Sequence, residues 1–242
     1  MPDVNFGRID VHSHLLPGID DGCPNVEESL ACARRMVEAG YTHSFCTPHI
    51  WPNLPENRPG NIIERTAQLQ QALDGAAIPL KLIPGGELNL RADLTKVPID
   101  EIPTYGMASK FCLFDIWVDR LPSFFWPTVE WLQGHGLTVI LAHPERMRAV
   151  QDEPELADAF LQAGLLLQGN LQCFADLPNA PTRRTAELFL RHDLYFMVGS
   201  DLHNLNSLPM RLRGLERVKE LVSEEKLWEL TRNHPRELLP LA

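Results

Sequence analysis

Histidines and carboxylates recur at the ends of the apolar, β-rich segments of this chain. The first segment ends in His12-Ser13-His14. Residues i and i+2 of an extended chain face the same side, so both imidazoles can reach one metal ion. An aspartate and a histidine share a face in the same way in Asp201-Leu202-His203. Imidazole and carboxylate ligands suit Mn²⁺, Fe or Zn²⁺, which indicates the chemistry of a metal centre.

The same pattern extends over six of the seven predicted strands. The candidate ligands are four carboxylates and five imidazoles: His12, His14, Asp21, His49, Glu87, Asp115, His143, Asp201 and His203. Two carboxylates about 4 Å apart repel by about 4 kcal/mol at an effective dielectric constant of about 20, and divalent cations remove that penalty. Nine ligands exceed the needs of one or two ions, so we expect about three ions. Glu87 is the expected bridge because it is central in the strand order.

A cation follows one of these ligands in the chain. Arg146 lies three residues after His143, on the loop at the same end of the predicted strands. A guanidinium suits the capture of a phosphate through two hydrogen bonds. Clustered ions activate water and neutralise the charge of a phosphoryl group. We therefore expect a hydrolytic metal centre in which Arg146 binds a phosphate group.

Strands and helices must alternate to bring these residues together. Apolar, β-rich runs predict seven strands, over 8–12, 41–47, 80–85, 110–117, 137–142, 164–168 and 194–199. Apolar residues at helical spacing predict helices over 26–39, 62–73, 128–133, 155–163, 182–191 and 212–222. This alternation indicates a parallel α/β sheet closed into a barrel, and we expect one domain over residues 1–242. Functional groups then lie where strands end and loops begin.

Composition restricts the class of protein further. The chain has 22 Lys and Arg against 32 Asp and Glu, a formal charge of −10, which disfavours generic binding to nucleic acid or anionic membranes. No apolar run approaches the ~18 residues of a membrane span, and no signal core opens the chain, so we expect a cytoplasmic protein. The five cysteines are odd in number, and none has an Arg six positions later. Neither a disulfide framework nor a cysteine-phosphatase site is therefore expected.

These motifs resemble the PHP (polymerase and histidinol phosphatase) family. They are more similar still to its bacterial tyrosine-phosphatase branch, the capsule and exopolysaccharide phosphatases typified by CpsB and YwqE. The resemblance covers nearly the whole chain from about residue 8. The matching pieces are Asp10-Val11-His12-Ser13-His14, Asp20-Asp21-Gly22, Thr47-Pro48-His49, Gly86-Glu87, His143-Pro144-Glu145-Arg146 and Gly199-Ser200-Asp201-Leu202-His203-Asn204.

The resemblance implies a distorted (β/α)7 barrel with three ions, often manganese, bound by the nine residues given above. It implies metal-dependent hydrolysis of phosphomonoesters, usually phosphotyrosine on a tyrosine kinase of polysaccharide biosynthesis, with Arg146 as a phosphate-binding residue. For this reaction we expect attack by a metal-bound hydroxide, with Asp21 and His203 near the leaving group. Two positions depart from the pattern. Asp115 stands where the family usually has Glu, and Leu208 stands where it tends to have a second phosphate-binding Arg. Arg211 and Arg213 are the nearest possible replacements.

Three alternatives stay open on the sequence alone. A small-molecule phosphatase of the same superfamily, similar to histidinol phosphatase, would use the same cluster. A non-catalytic PHP-like module would bind metal for stability or assembly. An amidohydrolase usually adds a metal-bridging lysine, and Lys110, the nearest candidate, begins its strand. The sequence predicts no oligomeric state.

Overall fold

Parallel strands alternate with helices along the chain, in a computed structural model that describes residues 6–107 and 110–240. The strands are β1 (Arg8–Asp10), β2 (Tyr41–Cys46), β3 (His49–Ile50), β4 (Lys81–Pro84), β5 (Glu87–Asn89), β6 (Phe111–Asp115), β7 (Thr138–Ala142), β8 (Leu166–Asn170) and β9 (Met197–Gly199). The α-helices are α1 (Val26–Glu38), α2 (Pro59–Gly75), α3 (Phe125–Gly134), α4 (Arg148–Asp152), α5 (Leu156–Gln162), α6 (Leu171–Ala175), α7 (Pro181–Arg191), α8 (Leu208–Leu221), α9 (Glu224–Trp228) and α10 (His234–Arg236).

The strands form two parallel sheets that together make a ring. One sheet has the order β1-β2-β4 and the other β3-β5-β6-β7-β8-β9. Strands β3 and β5 continue β2 and β4 after short breaks at Thr47-Pro48 and Gly85-Gly86. Beyond β1 and β9, Ser13 pairs in parallel with Leu202, and this pairing closes the ring. The predicted barrel with seven strand positions is thus confirmed, with two of its strands interrupted.

Apolar side chains fill the inside of the barrel. Residues from β1, β2, β4, β6, β7 and β9 converge on one buried cluster that includes Ile9, Phe45, Leu113, Ile140 and Met197. A second, larger cluster packs the outer faces of the strands against the helices. Because the interior is packed, polar chemistry is confined to the ends of the strands.

Within residues 6–107 and 110–240, the six predicted helices are confirmed, and four short α-helices are added. Helix α1 begins as predicted, because the Asn25 side chain accepts a hydrogen bond from the backbone of Glu28 at 2.9 Å. Helices α4, α6, α9 and α10 have five residues or fewer, too few to show an apolar period. Among the described residues, no helix combines the length and apolar character needed to cross a bilayer.

Candidate metal centre

The nine candidate ligands lie together where the strands end. Strand β1 leads into His12 and His14, β7 into His143, and β9 into Asp201 and His203. His49 and Glu87 open β3 and β5, which pair in register at these two residues. Asp115 is the last residue of β6, and Asp21 lies in the loop before α1. The two strand breaks thus place His49 and Glu87 side by side.

Glu87 is the centre of the cluster. Its Oε2 lies 2.8 Å from His49 Nδ1 and 3.3 Å from His12 Nε2, and its Oε1 lies 2.9 Å from His143 Nε2. The side chain is completely buried. One carboxylate therefore contacts imidazoles that come from three other strand positions, as a bridging ligand would.

Asp201 is a second point of convergence. Its Oδ1 lies 3.3 Å from His14 Nε2 and 3.5 Å from His12 Nε2. Both Asp201 and His143 adopt left-handed backbone conformations, with φ of 51° and 35°. Such strain costs about 1–3 kcal/mol per residue and persists only where the surroundings impose it. Here Ser200 donates to both oxygens of the buried Asp10 carboxylate, from its backbone at 2.8 Å and its hydroxyl at 2.5 Å, and so fixes this turn to β1.

The cluster opens to solvent at Asp21 and His203. The Asp21 side chain is 59% exposed, and its Oδ1 lies 3.3 Å from His49 Nε2 and 3.5 Å from His203 Nε2. His203 Nδ1 is hydrogen-bonded at 2.9 Å to the carbonyl oxygen of Asp201. Since a carbonyl can only accept, Nδ1 carries the proton and Nε2 of the neutral ring offers a lone pair to the site.

Three overlapping groups of side chains have the spacing of metal ligands. Within each group, the ligand atoms lie within 4.8 Å of one another. The groups are His14, Asp21, His49 and His203; His12, His14 and Glu87; and His49, Glu87 and Asp115. His143 and Asp201 join them through the contacts described above. The overlap fits a centre of more than one ion with shared ligands.

Unpaired buried atoms point to the same conclusion. Among the described residues, His49 Nδ1, Glu87 Oε2 and Asp115 Oδ1 are buried and have no hydrogen bond of acceptable geometry. Although His49 Nδ1 and Glu87 Oε2 are 2.8 Å apart, their orientation does not make a hydrogen bond. A buried polar group without a partner costs about 1–3 kcal/mol. Divalent cations would satisfy all three atoms, so the residues present fit a metal centre.

Two of the buried imidazoles, His12 and His14, have raised pKa values and compensate part of the negative charge in the cluster. Burial alone would lower the pKa of His14, but Asp20 raises this pKa well above its usual value. Burial would raise the pKa of Glu87, but His12 holds it well below its usual value. The pKa of Asp115 rises to about 8, because of its burial and then the charge of Glu87. Protons on His12, His14 and Asp115 thus offset part of the negative charge that bound cations would offset. These protons have to leave when metal ions bind.

Two residues that the sequence did not single out orient the histidines. Asp20 Oδ2 lies 2.7 Å from His14 Nδ1, and the same carboxylate accepts from the backbone of His49 at 3.0 Å. Gln168 Oε1 lies 2.9 Å from His12 Nδ1. Both contacts turn the Nε2 atoms toward the cluster, which is the usual role of partners behind metal-binding histidines. The Asp-Asp-Gly motif contains Asp20, and Gln168 lies on the strand that supplied no candidate ligand.

A buried network supports Asp201 from behind. Asn170 donates from its side chain to Asp201 Oδ2 at 2.7 Å, and its backbone N–H donates to Glu145 Oε1 at 2.6 Å. The Tyr195 hydroxyl donates to Glu145 Oε2 at 2.8 Å. Burial raises the pKa of Glu145 to about 7. The sixth strand position, β8, thus contributes orienting amides rather than ligands.

Two arginines line the open cavity beside the cluster. Arg146 Nη1 donates to Asp201 Oδ2 at 2.8 Å. The cavity has a volume of about 360 Å³ and is shared by Arg146, Asp21, His203 and Arg211. Arg211 is held by two carbonyls, through Nε to Asp201 at 2.8 Å and through Nη1 to Ser207 at 3.1 Å. Of the two possible replacements for an arginine at Leu208, Arg211 therefore faces the site.

Comparison with known proteins agrees with this geometry. The profile of a family described as "Capsular polysaccharide synthesis, CpsB/CapC" matches residues 8–240. The chain belongs to the CpsB/CapC family. The resemblance of its motifs to the CpsB and YwqE phosphatases is therefore confirmed.

Relatives of this CpsB/CapC chain include named phosphatases. It is 28% identical over 203 residues to the tyrosine-protein phosphatase YwqE of Bacillus subtilis strain 168, covering 82% of this chain and 78% of YwqE. It is 26% identical over 239 residues to the tyrosine-protein phosphatase CpsB of Streptococcus pneumoniae, covering 96% and 98%. A crystal structure from work on YwqE and CpsB as "unique metal-dependent tyrosine phosphatases" superposes with a TM-score of 0.85 at 26% identity, over 95% of this chain and 94% of the other.

Proposed function

We propose that this chain is a metal-dependent phosphomonoesterase that hydrolyses phosphotyrosine in proteins. The activity is that named for its relatives YwqE and CpsB. The observation that carries the proposal is the position of Arg146, whose guanidinium lies directly beside a buried cluster of imidazoles and carboxylates. The proposed protein substrate is a bacterial tyrosine kinase of capsule or exopolysaccharide synthesis, and the proposed location of this chain is the cytoplasm.

The metal ligands in this proposal are the residues predicted from the sequence: His12, His14, Asp21, His49, Glu87, Asp115, His143, Asp201 and His203. About three ions, manganese first and iron or zinc as alternatives, match this set of oxygen and nitrogen ligands. When bound, such ions activate water and neutralise charge on phosphoryl oxygens.

The two arginines hold the phosphate. Arg146 has a planar fork of donors, of which Nη1 is bound to Asp201, so its other N–H groups can bind phosphoryl oxygens. Arg211 is fixed by the carbonyls of Asp201 and Ser207, and among the described residues its Nη2 has no hydrogen-bond partner. Because both side chains are held before the substrate arrives, little orientation entropy remains to be lost on binding.

In this proposal, the leaving group departs beside Asp21 and His203. A tyrosine hydroxyl has an ordinary pKa of about 10, so the departing oxygen takes up a proton at neutral pH. The Asp21 carboxylate and His203 Nε2 are the groups at the exposed edge of the site. We place the departing oxygen beside this pair and assign its proton to water at the exposed edge, because Nε2 of the neutral His203 ring offers a lone pair and carries no proton.

A panel of substrates tests the proposal. Phosphate release is measured at saturating Mn²⁺ from a phosphotyrosine peptide, from histidinol phosphate and from a nucleotide monophosphate. We expect the highest kcat/KM for the peptide, and loss of release when the ions are chelated. A higher value for a small ester would favour the small-molecule phosphatase, and no release from any substrate would favour a non-catalytic module. The double variant His12→Ala, His143→Ala should be inactive, whereas the surface control His192→Ala should keep wild-type rates.

A further inference from the structure

Trp117 is a large aromatic side chain held in the open at the rim of the site. It lies two residues beyond Asp115 and is 56% exposed. Its indole Nε1 donates to Asp115 Oδ2 at 2.7 Å. The guanidinium of Arg146 lies over its ring, 4.3 Å from the centroid. The indole is therefore fixed at its edge and on one face without being buried.

This position is next to the phosphate-binding arginine. An oxygen bound to Arg146 lies about 2.8 Å from the guanidinium, and an aryl group is joined to the phosphorus through only one ester oxygen. The substituent of a phosphate bound on the Trp117 side of the guanidinium can therefore reach the ring-to-ring contact range of the indole, about 4.5–7 Å. The ring of His143, on the side of the metal ligands, is already 6.0 Å from the Trp117 ring.

The other tryptophan near the site is placed differently. Trp51 stacks on the His49 ring with a centroid distance of 4.0 Å, and it is only partly exposed. One ring face of Trp51 is thus occupied by a candidate ligand, and less of this side chain than of Trp117 is exposed. Trp117, in contrast, contacts both Asp115 and Arg146 and is exposed to solvent.

We propose that Trp117 determines specificity by stacking on the aromatic leaving group of the substrate. The inference rests on the proposed phosphatase function and makes that function selective for aryl over alkyl phosphomonoesters. Stacked aromatic pairs contribute roughly 0.5–1.5 kcal/mol beyond the area they bury, which corresponds to about 2-fold to 12-fold in affinity. The exposed surface of the Trp117 indole is thus available for stacking by the aromatic ring of a bound substrate.

The experiment must separate the ring from the indole N–H, which also holds Asp115. Trp117→Phe keeps an aromatic face and removes the donor, whereas Trp117→Leu removes both. Trp228→Leu is the matched control, since this indole also lies beneath arginines, at 5.0 Å from Arg8 and 4.4 Å from Arg232, near the start of β1. The metal content of each protein is measured, because loss of the N–H contact acts through Asp115.

Dissociation constants for benzylphosphonate and propylphosphonate are measured by calorimetry on the Mn²⁺-loaded proteins, together with kcat/KM for phosphotyrosine and phosphoserine. We expect Trp117→Leu to weaken benzylphosphonate about 5-fold to 10-fold and propylphosphonate less than about 2-fold. Trp117→Phe and Trp228→Leu should keep the wild-type preference for the aryl ligand. Equal weakening of both ligands, loss of the preference in Trp117→Phe, or no preference in the wild type would overturn the inference. Because phosphonates are not hydrolysed, an intact aryl preference without any turnover would overturn the proposed function alone.

Discussion

Arg146 connects the metal ligands to the substrate. Its guanidinium contacts Asp201 at 2.8 Å and covers Trp117. Removing a donor that stabilises developing charge costs about 10²–10³ in rate in other enzymes. We expect Arg146→Ala to lower kcat/KM for a phosphotyrosine peptide by about this factor with the metal content unchanged.

Arg146→Lys provides the sharper version of this test. Lysine keeps the charge but cannot give two parallel hydrogen bonds, so we expect it to recover only part of the lost activity. The exposed Arg213→Lys on α8 is the matched control and should behave as wild type. Unchanged kcat/KM in Arg146→Ala would show that the guanidinium does not bind the phosphoryl group.

Side-chain chemistry explains which residues could be predicted from the sequence. The candidate ligands could be predicted because His and Asp recur with a spacing of two at the ends of apolar runs, as in His12 and His14. The separate role of Asp20 could not be predicted from the sequence, since Asp20 stands next to Asp21 and has the same side chain. Only the fold shows that Asp20 faces His14 Nδ1 while Asp21 faces the open edge.

Helix α8 positions Arg211, and its placement depends on one glycine. Gly214 lies against α6 so closely that a Cβ there would meet the Leu171 carbonyl oxygen at 1.7 Å. Because that atom belongs to the backbone, it cannot move aside as a side chain would. We expect Gly214→Ala to lower the free energy of unfolding by about 1–3 kcal/mol or more, measured by urea denaturation.

Gly60→Ala is the control for Gly214→Ala, since it makes the same substitution in another helix. It lies in α2, and a Cβ added there would meet no atom within 4 Å. Gly60→Ala should therefore stabilise the protein by up to about 1 kcal/mol, since alanine loses less backbone entropy in a helix. Equal effects of the two substitutions would contradict the close packing of α6 against α8.

At the scale of elements, the sequence predicted the strands better than their interruptions. The run over 41–47 was visible as one apolar segment, yet the paired strand ends at Cys46 and resumes at His49. Proline has no N–H for a ladder, and Gly85-Gly86 lacks side chains to pack, so pairing stops at both places. Periodicity does not report such a break, although the break is what brings His49 beside Glu87.

The buried charges of the site make the stability of the folded protein depend on metal binding. The chain has a formal charge of −10, and several of its carboxylates are buried in one cluster. A ligand that binds only the folded state adds about 4 kcal/mol at 1,000 times its dissociation constant. For a domain of this size, 1 kcal/mol corresponds to about 2–4 °C in Tm.

Adding Mn²⁺ to chelator-treated protein should therefore raise Tm by roughly 8–16 °C or more at saturation. A thermal unfolding scan with and without the ion measures this shift. Potassium chloride at equal ionic strength is the control, because it screens charges without occupying the ligands. A shift no larger than that given by the salt would mean that the cluster does not bind the ion in the folded state.

The count of bound ions tests the metal centre most directly. Protein stripped with a chelator, reloaded with Mn²⁺ and passed through a desalting column is analysed by inductively coupled plasma mass spectrometry. The account predicts about three ions per chain in the wild type and a clear loss in Glu87→Gln, while the exposed control Glu64→Gln keeps the wild-type count. Retention of less than about one ion per chain by the wild type, with manganese, iron and zinc each supplied in excess, would contradict it.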